Sequence, residues 1–189
     1  MLNAQPSSDV ALTITSSDTG EATVTSLITF TSANWDTAQT VTVTGVDDDL
    51  IDGTISSTLT VAVLDAISDD DFDGVADQTV SVSTTDDDVA GFTVAETEGS
   101  TGVTEAGGTD TFTVVLNAQP DSNVVLSIAS SDTGEATVTG TVTFTPANWD
   151  TAQTVTVTGA DDDLVDGTVS STTTISVVDA ASDLSLIHI

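Results

Sequence analysis

The sequence predicts an all-β fold, with antiparallel β-sandwich domains in tandem and both copies incomplete. Three observations carry this expectation: short segments with strict period-two alternation, an internal repeat of domain length, and no segment with a convincing helical period. Alternation puts one apolar and one polar face on each strand. Sheets with such strands bury the apolar face by packing on each other.

The strands can be read in order. Thr40, Thr42 and Thr44 alternate with Val41 and Val43, and Val80 and Val82 mark a later strand. Phe92/Val94, Phe112/Val114/Leu116 and Val124/Leu126/Ile128 follow. From Thr137 to Thr145 every odd position is Thr, with Val138, Val142 and Phe144 between, and this reads as one strand. Val155 and Val157 between Thr154, Thr156 and Thr158, then Ile175/Val177, complete the pattern. Thr and Val suit strands because β-branching favours the pleated backbone.

The repeat sets the domain plan. Leu2-Asn-Ala-Gln-Pro6 recurs as Leu116-Asn-Ala-Gln-Pro120, an offset of 114 residues, and the match runs to Asp69 and Asp183 with 51 of 68 positions identical. A unit of that length is a domain and not a solenoid turn. The second copy is preceded by residues 91–115, which have no counterpart before Leu2, and the first continues through residues 70–88. The expectation is a first repeat over 1–89 lacking its front strands and a second over 90–183 lacking its last strand. Residues 184–189 (Leu-Ser-Leu-Ile-His-Ile) resemble nothing else in the chain and read as a non-native tail on a window cut from a longer array.

Charge narrows the functions. The chain has 31 acidic residues, no Lys or Arg, and a formal net charge of −31. Two carboxylates about 4 Å apart repel by roughly 1 kcal/mol in water and about 4 at an effective dielectric near 20. With no basic side chain to pair them, clustered aspartates need an external cation or must stay apart. Nucleic acid and anionic membranes are excluded as partners, because phosphate contacts require Lys and Arg. No apolar run approaches the ~18 residues of a membrane span, and no signal-peptide pattern opens the chain. An apolar content of 38% in alternating segments argues against the disorder that acidic composition otherwise implies. Cysteine is absent, so disulfides and thiolate metal sites are excluded.

Three kinds of acidic cluster occur. Asp47-Asp48-Asp49 with Asp52-Gly53 recurs as Asp161-Asp162-Asp163 with Asp166-Gly167, each in the loop leaving a TVTVT strand. Asp86-Asp87-Asp88 ends the first copy. Asp69, Asp71, Asp73 and Asp77 space around Gly74 like the front half of a calcium loop. Position twelve counted from Asp69 is Val80, so the bidentate Glu of an EF-hand is missing. Calcium takes six to eight hard oxygens from carboxylates, carbonyls and water, which these loops supply. The expected ligand is therefore Ca2+; the alternative for each loop is a solvated charge run or hairpin tip.

The string from Phe144 through Trp149, Gly159 and Asp161–Asp163 to Gly167, with the Asp86-Asp87-Asp88-Val-Ala-Gly91-Phe-Thr-Val-Ala-Glu96 junction, resembles Calx-β repeats of large bacterial surface proteins. Related domains are calcium sensors of sodium–calcium exchangers. The resemblance covers all but the last six residues. It implies a seven-stranded, immunoglobulin-like sandwich with calcium at one end. It also implies ligands at Glu96, Asp161, Asp162 and Asp166 in the second copy, and at Asp47, Asp48, Asp52, Asp86, Asp87 and Asp88 in the first. A further loop acid would fall near Asp18 and Asp132. Neither copy holds the complete set.

The function expected is a calcium-stiffened spacer or stalk repeat of an extracellular or cell-surface bacterial adhesin-like protein, with neighbouring repeats as its partners. A calcium-dependent module for a surface glycan or protein is the alternative, and a calcium sensor is a third reading. Trp35 and Trp149 precede core strands and read as packing residues, not sugar platforms. Catalysis lacks parts: there is no Cys, Tyr, Lys or Arg, and the lone His188 lies in the tail.

Overall fold

The computed structural model describes residues 1–165, 167–179 and 182; Asp166, Asp183 and the 184–189 tail lie outside the described residues. Its regular structure is strands, antiparallel within every sheet, with three short 3-10 turns and no α-helix among the described residues. Two compact units form: Met1–Asp48 with Asp52–Asp86, and Asp49–Ile51 with Asp87–Ile189. The division falls inside the Asp86–Asp88 run.

Unit 1 contains β1 (Val10–Ser16), β2 (Ala22–Val24), β3 (Leu27–Phe30), β4 (Val43–Gly45), β5 (Thr54–Val63) and β6 (Gln78–Thr85). They form a sheet in the order β3-β1-β5-β6 and a separate β2-β4 pair. The longest ladder joins β5 to β6, from Thr54↔Thr85 to Val61↔Gln78. Val10, Ala11, Ile14, Ala22, Phe30 and Leu59 are buried. The TVTVT segment at Thr40–Thr44 is strand only from Val43 onward, with the Thr42 carbonyl accepting from Thr25 N–H (3.0 Å), and Val43 is 40% exposed.

One inward position of unit 1 is polar. The Ser57 hydroxyl on β5 is buried with no hydrogen-bond partner. It sheds its water on folding with no compensating bond, so Ser57→Ala should raise stability by about 1 kcal/mol. Denaturant titration tests this, with the exposed neighbour Ser56→Ala expected to leave the midpoint unchanged.

Unit 2 contains β7 (Phe92–Glu96), β8 (Thr109–Leu116), β9 (Val124–Ser130), β10 (Ala136–Val138), β11 (Thr141–Phe144), β12 (Gln153–Gly159) and β13 (Thr173–Val177). One sheet has the order β10-β12-β8-β7 and the other β11-β9-β13. Alternate residues Phe112/Val114/Leu116, Val124/Leu126/Ile128 and Val155/Val157 are buried in one cluster with Val142 and Phe144. Trp149 packs against that cluster. The alternation read from the sequence is the inward face of β8, β9 and β12, whereas Val94 on β7 is 43% exposed and Val80 on β6 is 52% exposed.

Thr137–Thr145 does not form the single strand that its alternation predicts. The Thr139 N–H still bonds the Thr156 carbonyl (3.1 Å), whereas the Gly140 carbonyl accepts from Ile128 (2.9 Å). The chain changes sheet between them, so β10 pairs with β12 and β11 with β9. Alternation survives because both sheets face one core.

β13 is half the length of its counterpart β5. In unit 1 the first half of β5 is paired by β6, and unit 2 has no equivalent of β6 among its described residues. Thr168–Thr172 is not strand, and a cavity of about 1070 Å³ opens beside it, lined by Phe92, Phe112, Val157 and Ile175 among others.

Candidate metal centre

One acidic cluster is assembled by sheet pairing. β2 runs antiparallel to β4 with Ala22 opposite Gly45, and the Glu21 carbonyl accepts from the Val46 N–H (2.9 Å). That register sets Glu21 beside the loop that begins at Asp47. The Thr84 hydroxyl also donates to the Glu21 carbonyl (3.2 Å). Asp52 arrives on the far side of the same loop, at a turn whose Gly53 has φ +77°. Asp86 holds this turn: its Oδ2 accepts from Gly53 N–H (2.9 Å) and its own N–H donates to the Gly53 carbonyl (3.2 Å).

Glu21, Asp48 and Asp52 each bring one carboxylate oxygen to within 4.8 Å of the others. Two oxygens bound to calcium at about 2.4 Å lie at most ~4.8 Å apart, so this spacing suits one shared ion. The donors are hard oxygens, and Asp48 and Asp52 are exposed, leaving room for water to complete the shell. The Glu21 carboxyl is held above its ordinary value, by desolvation first and then by Asp52, Asp48 and Asp18. No cationic side chain exists in the chain to relieve this crowding. A divalent cation would.

The structure places the other expected ligands elsewhere. Asp47 and Asp49 are exposed beside Asp48; the Asp49 carbonyl accepts from Gln119 N–H (2.7 Å). Asp18 turns back on its own loop, its Oδ1 accepting from Gly20 N–H (3.0 Å), and Asp132 does the same with Gly134. Asp87 is exposed and Asp88 half-buried after the division between the units. Glu96 ends β7 and accepts from the Thr101 hydroxyl (3.1 Å). Asp162 Oδ1 accepts from Leu164 N–H (2.7 Å), Asp161 is exposed, and Asp166 lies outside the described residues. Among the described residues, no other three acids bring ligand atoms this close.

Asp69 has a distinct place. It is 4% exposed, and its Oδ2 accepts from Ser7 N–H (2.6 Å), the Ser7 hydroxyl (2.9 Å) and Ser8 N–H (2.9 Å). Its Oδ1 caps the 3-10 turn Asp70–Phe72 through Asp71 N–H (3.1 Å). Asp71, Asp73 and Asp77 are exposed along the same connection. Asp73 is pushed above its ordinary value by desolvation, then by Asp65, Asp70 and Asp69. The Asp69 carboxyl is lowered from 3.8 to about 2, chiefly by the Ser8, Ser7 and Asp71 donors. A lowered acid stabilises the fold above its ordinary value and loses that contribution as pH falls through its folded value. The melting temperature should therefore drop between about pH 4 and pH 2, and Asp69→Asn should flatten that limb of a melting-versus-pH series.

Glu21 was not legible as a ligand from clustering, because it stands alone in Asp18-Thr-Gly-Glu21. The signal that finds it is the second copy, which repeats this string as Asp132-Thr-Gly-Glu135. There the Glu135 carbonyl accepts from Ala160 N–H (2.8 Å), the same approach to an aspartate loop.

No known family model matches the chain, and no curated protein matches it. No helix among the described residues is long and apolar enough to cross a membrane.

Proposed function

We propose that the chain is a calcium-binding structural repeat of the Calx-β type, serving as a spacer in an extracellular bacterial adhesin-like protein. The observation that carries this reading is the convergence of Glu21, Asp48 and Asp52 on one point in a chain without Lys or Arg. Calcium there ties the end of the β2-β4 pair to the turn that leads into β5. Asp86, at the end of β6, braces that turn through Gly53. Binding thus stiffens the end of unit 1 without any chemistry on a substrate. The near-identity of the two copies supports an array in which each unit repeats one mechanical role.

Extracellular calcium modules bind at about 0.1–1 mM. At free calcium a hundredfold above Kd, one site adds about 2.7 kcal/mol, a large share of a typical domain stability. The test is thermal unfolding by circular dichroism in calcium and in EGTA, on the full chain and on Asp52→Asn. Calcium should raise the melting temperature of the wild type and act weakly on the variant. Equal melting in both buffers refutes the proposal.

A further inference from the structure

Two Asp–Gly pairs, Asp52-Gly53 and Asp73-Gly74, lie wholly among the described residues. Such a pair reacts with itself when the glycine amide nitrogen attacks the aspartate carboxyl carbon and closes a five-membered succinimide. Glycine hinders this attack least, because it has no side chain and its backbone turns most freely. The two pairs have like neighbours: Ile51 and Phe72 precede them, and the β-branched Thr54 and Val75 follow. A difference in their reactivity therefore comes from the fold.

The fold treats them in opposite ways. Gly53 N–H is taken by Asp86 Oδ2 (2.9 Å), and the Gly53 carbonyl accepts from Asp86 N–H (3.2 Å). Gly53 has φ +77°, and the next residue, Thr54, opens the β5–β6 ladder opposite Thr85. The nucleophile of this pair is bonded away and its backbone is held. Asp73 and Gly74 are both exposed, in the connection between β5 and β6. Among the described residues, no acceptor takes the Gly74 N–H. Asp73 is the C-cap of the 3-10 turn Asp70–Phe72, with φ −59° and ψ −29°. Its N–H reaches the Asp70 carbonyl at 3.4 Å, and Val75 N–H bonds the Phe72 carbonyl (3.0 Å). A turn this short opens at little cost, and opening frees ψ of Asp73 to bring the Gly74 nitrogen to the Asp73 carboxyl. An added Cβ at Gly74 would meet nothing within 4 Å, so no neighbouring group blocks this movement.

We propose that Asp73-Gly74 is a site of spontaneous aspartate isomerisation, selected by the fold over Asp52-Gly53. The Gly74 nitrogen bonds to Asp73 Cγ, and the carboxyl hydroxyl leaves with the amide proton as water. Hydrolysis of the ring returns that water. Attack at the Asp73 main-chain carbonyl leaves the chain running through Cγ, as isoaspartate; attack at Cγ restores aspartate. No other reactant is consumed. The product adds one carbon to the main chain and moves the free carboxylate onto Cα, outside the β5–β6 ladder that begins at Gln78. It also makes residue 73 a substrate for carboxyl methylation by an isoaspartyl methyltransferase. The proposal does not depend on calcium.

The experiment ages the full chain for weeks in neutral buffer and maps its peptides by mass spectrometry with electron-based fragmentation, which separates isoaspartate from aspartate. Isoaspartate should accumulate at Asp73 about tenfold faster than at Asp52, or more, the ratio that ~1.4 kcal/mol of restraint at Gly53 produces. In denaturant the two rates should converge, since only the like neighbours then act. Gly74→Val, which meets open space at a φ that is not positive, should lose most of the isoaspartate at 73 and leave Asp52 unchanged. Equal rates in the folded chain overturn the proposal, as does a tenfold ratio that persists in denaturant. Undiminished isoaspartate at 73 in Gly74→Val overturns it too.

Discussion

Phe144→Ala should lower the stability of unit 2 by about 3–5 kcal/mol, the range for a large aromatic deleted from a packed core. Phe144 is fully buried and shares one cluster with Val114, Leu126 and Val155, contributed by three different strands. The surrounding strands are paired on both sheets, so they have little freedom to close the cavity. Phe30→Ala removes the counterpart in unit 1, where Val43 and Leu27 are exposed and fewer apolar residues are buried than in unit 2. Its loss should lie near the lower end, about 3 kcal/mol. Guanidinium unfolding followed by the fluorescence of Trp149 in a Trp35→Phe background, and the reverse, separates the two units. Equal small effects at both positions would show that neither ring anchors a packed core.

Chelation is expected to have the next largest effect. Removing calcium at a starting excess of about a hundredfold over Kd should withdraw about 2.7 kcal/mol per site. In a domain of this size that shifts melting by on the order of 10–20 °C. Glu21→Gln removes one of the three carboxylates of the triad, and on the proposed reading it should weaken calcium binding by about tenfold. In EGTA the same substitution relieves the repulsion that raises Glu21, so it should not destabilise the calcium-free chain. A loss confined to calcium, absent in EGTA, distinguishes a ligand from a merely structural glutamate. Asp36→Asn, on an exposed acid outside the triad, should leave both measurements unchanged.

Most strands were legible because alternation is a local property, and each apolar position read from β8, β9 and β12 is an inward one. The places that were not legible depend on distant partners. The sheet change at Thr139–Gly140 follows from which strand lies alongside, and no local residue marks it: copy one has Ser26 in the place of Gly140. Asp69 looked like the head of a calcium loop from its spacing with Asp71 and Asp73. The structure adds what spacing does not show: its Oδ2 is held by Ser7 and Ser8, about sixty residues away, while Oδ1 caps the local turn through Asp71. Of the candidate site, Asp48 and Asp52 were legible as parts of a recurring cluster. Glu21 was not, because only the β2-β4 register brings it to them.

The most direct measurement is a calcium titration of the 15N-labelled full chain followed by backbone amide shifts. Saturable shifts should concentrate at Glu21, Val46–Asp48 and Asp52–Gly53, and should vanish from that set in Glu21→Gln at the same calcium concentrations. Shifts spread evenly over the acidic surface, or none at Glu21 and Asp52, would contradict a calcium site in unit 1.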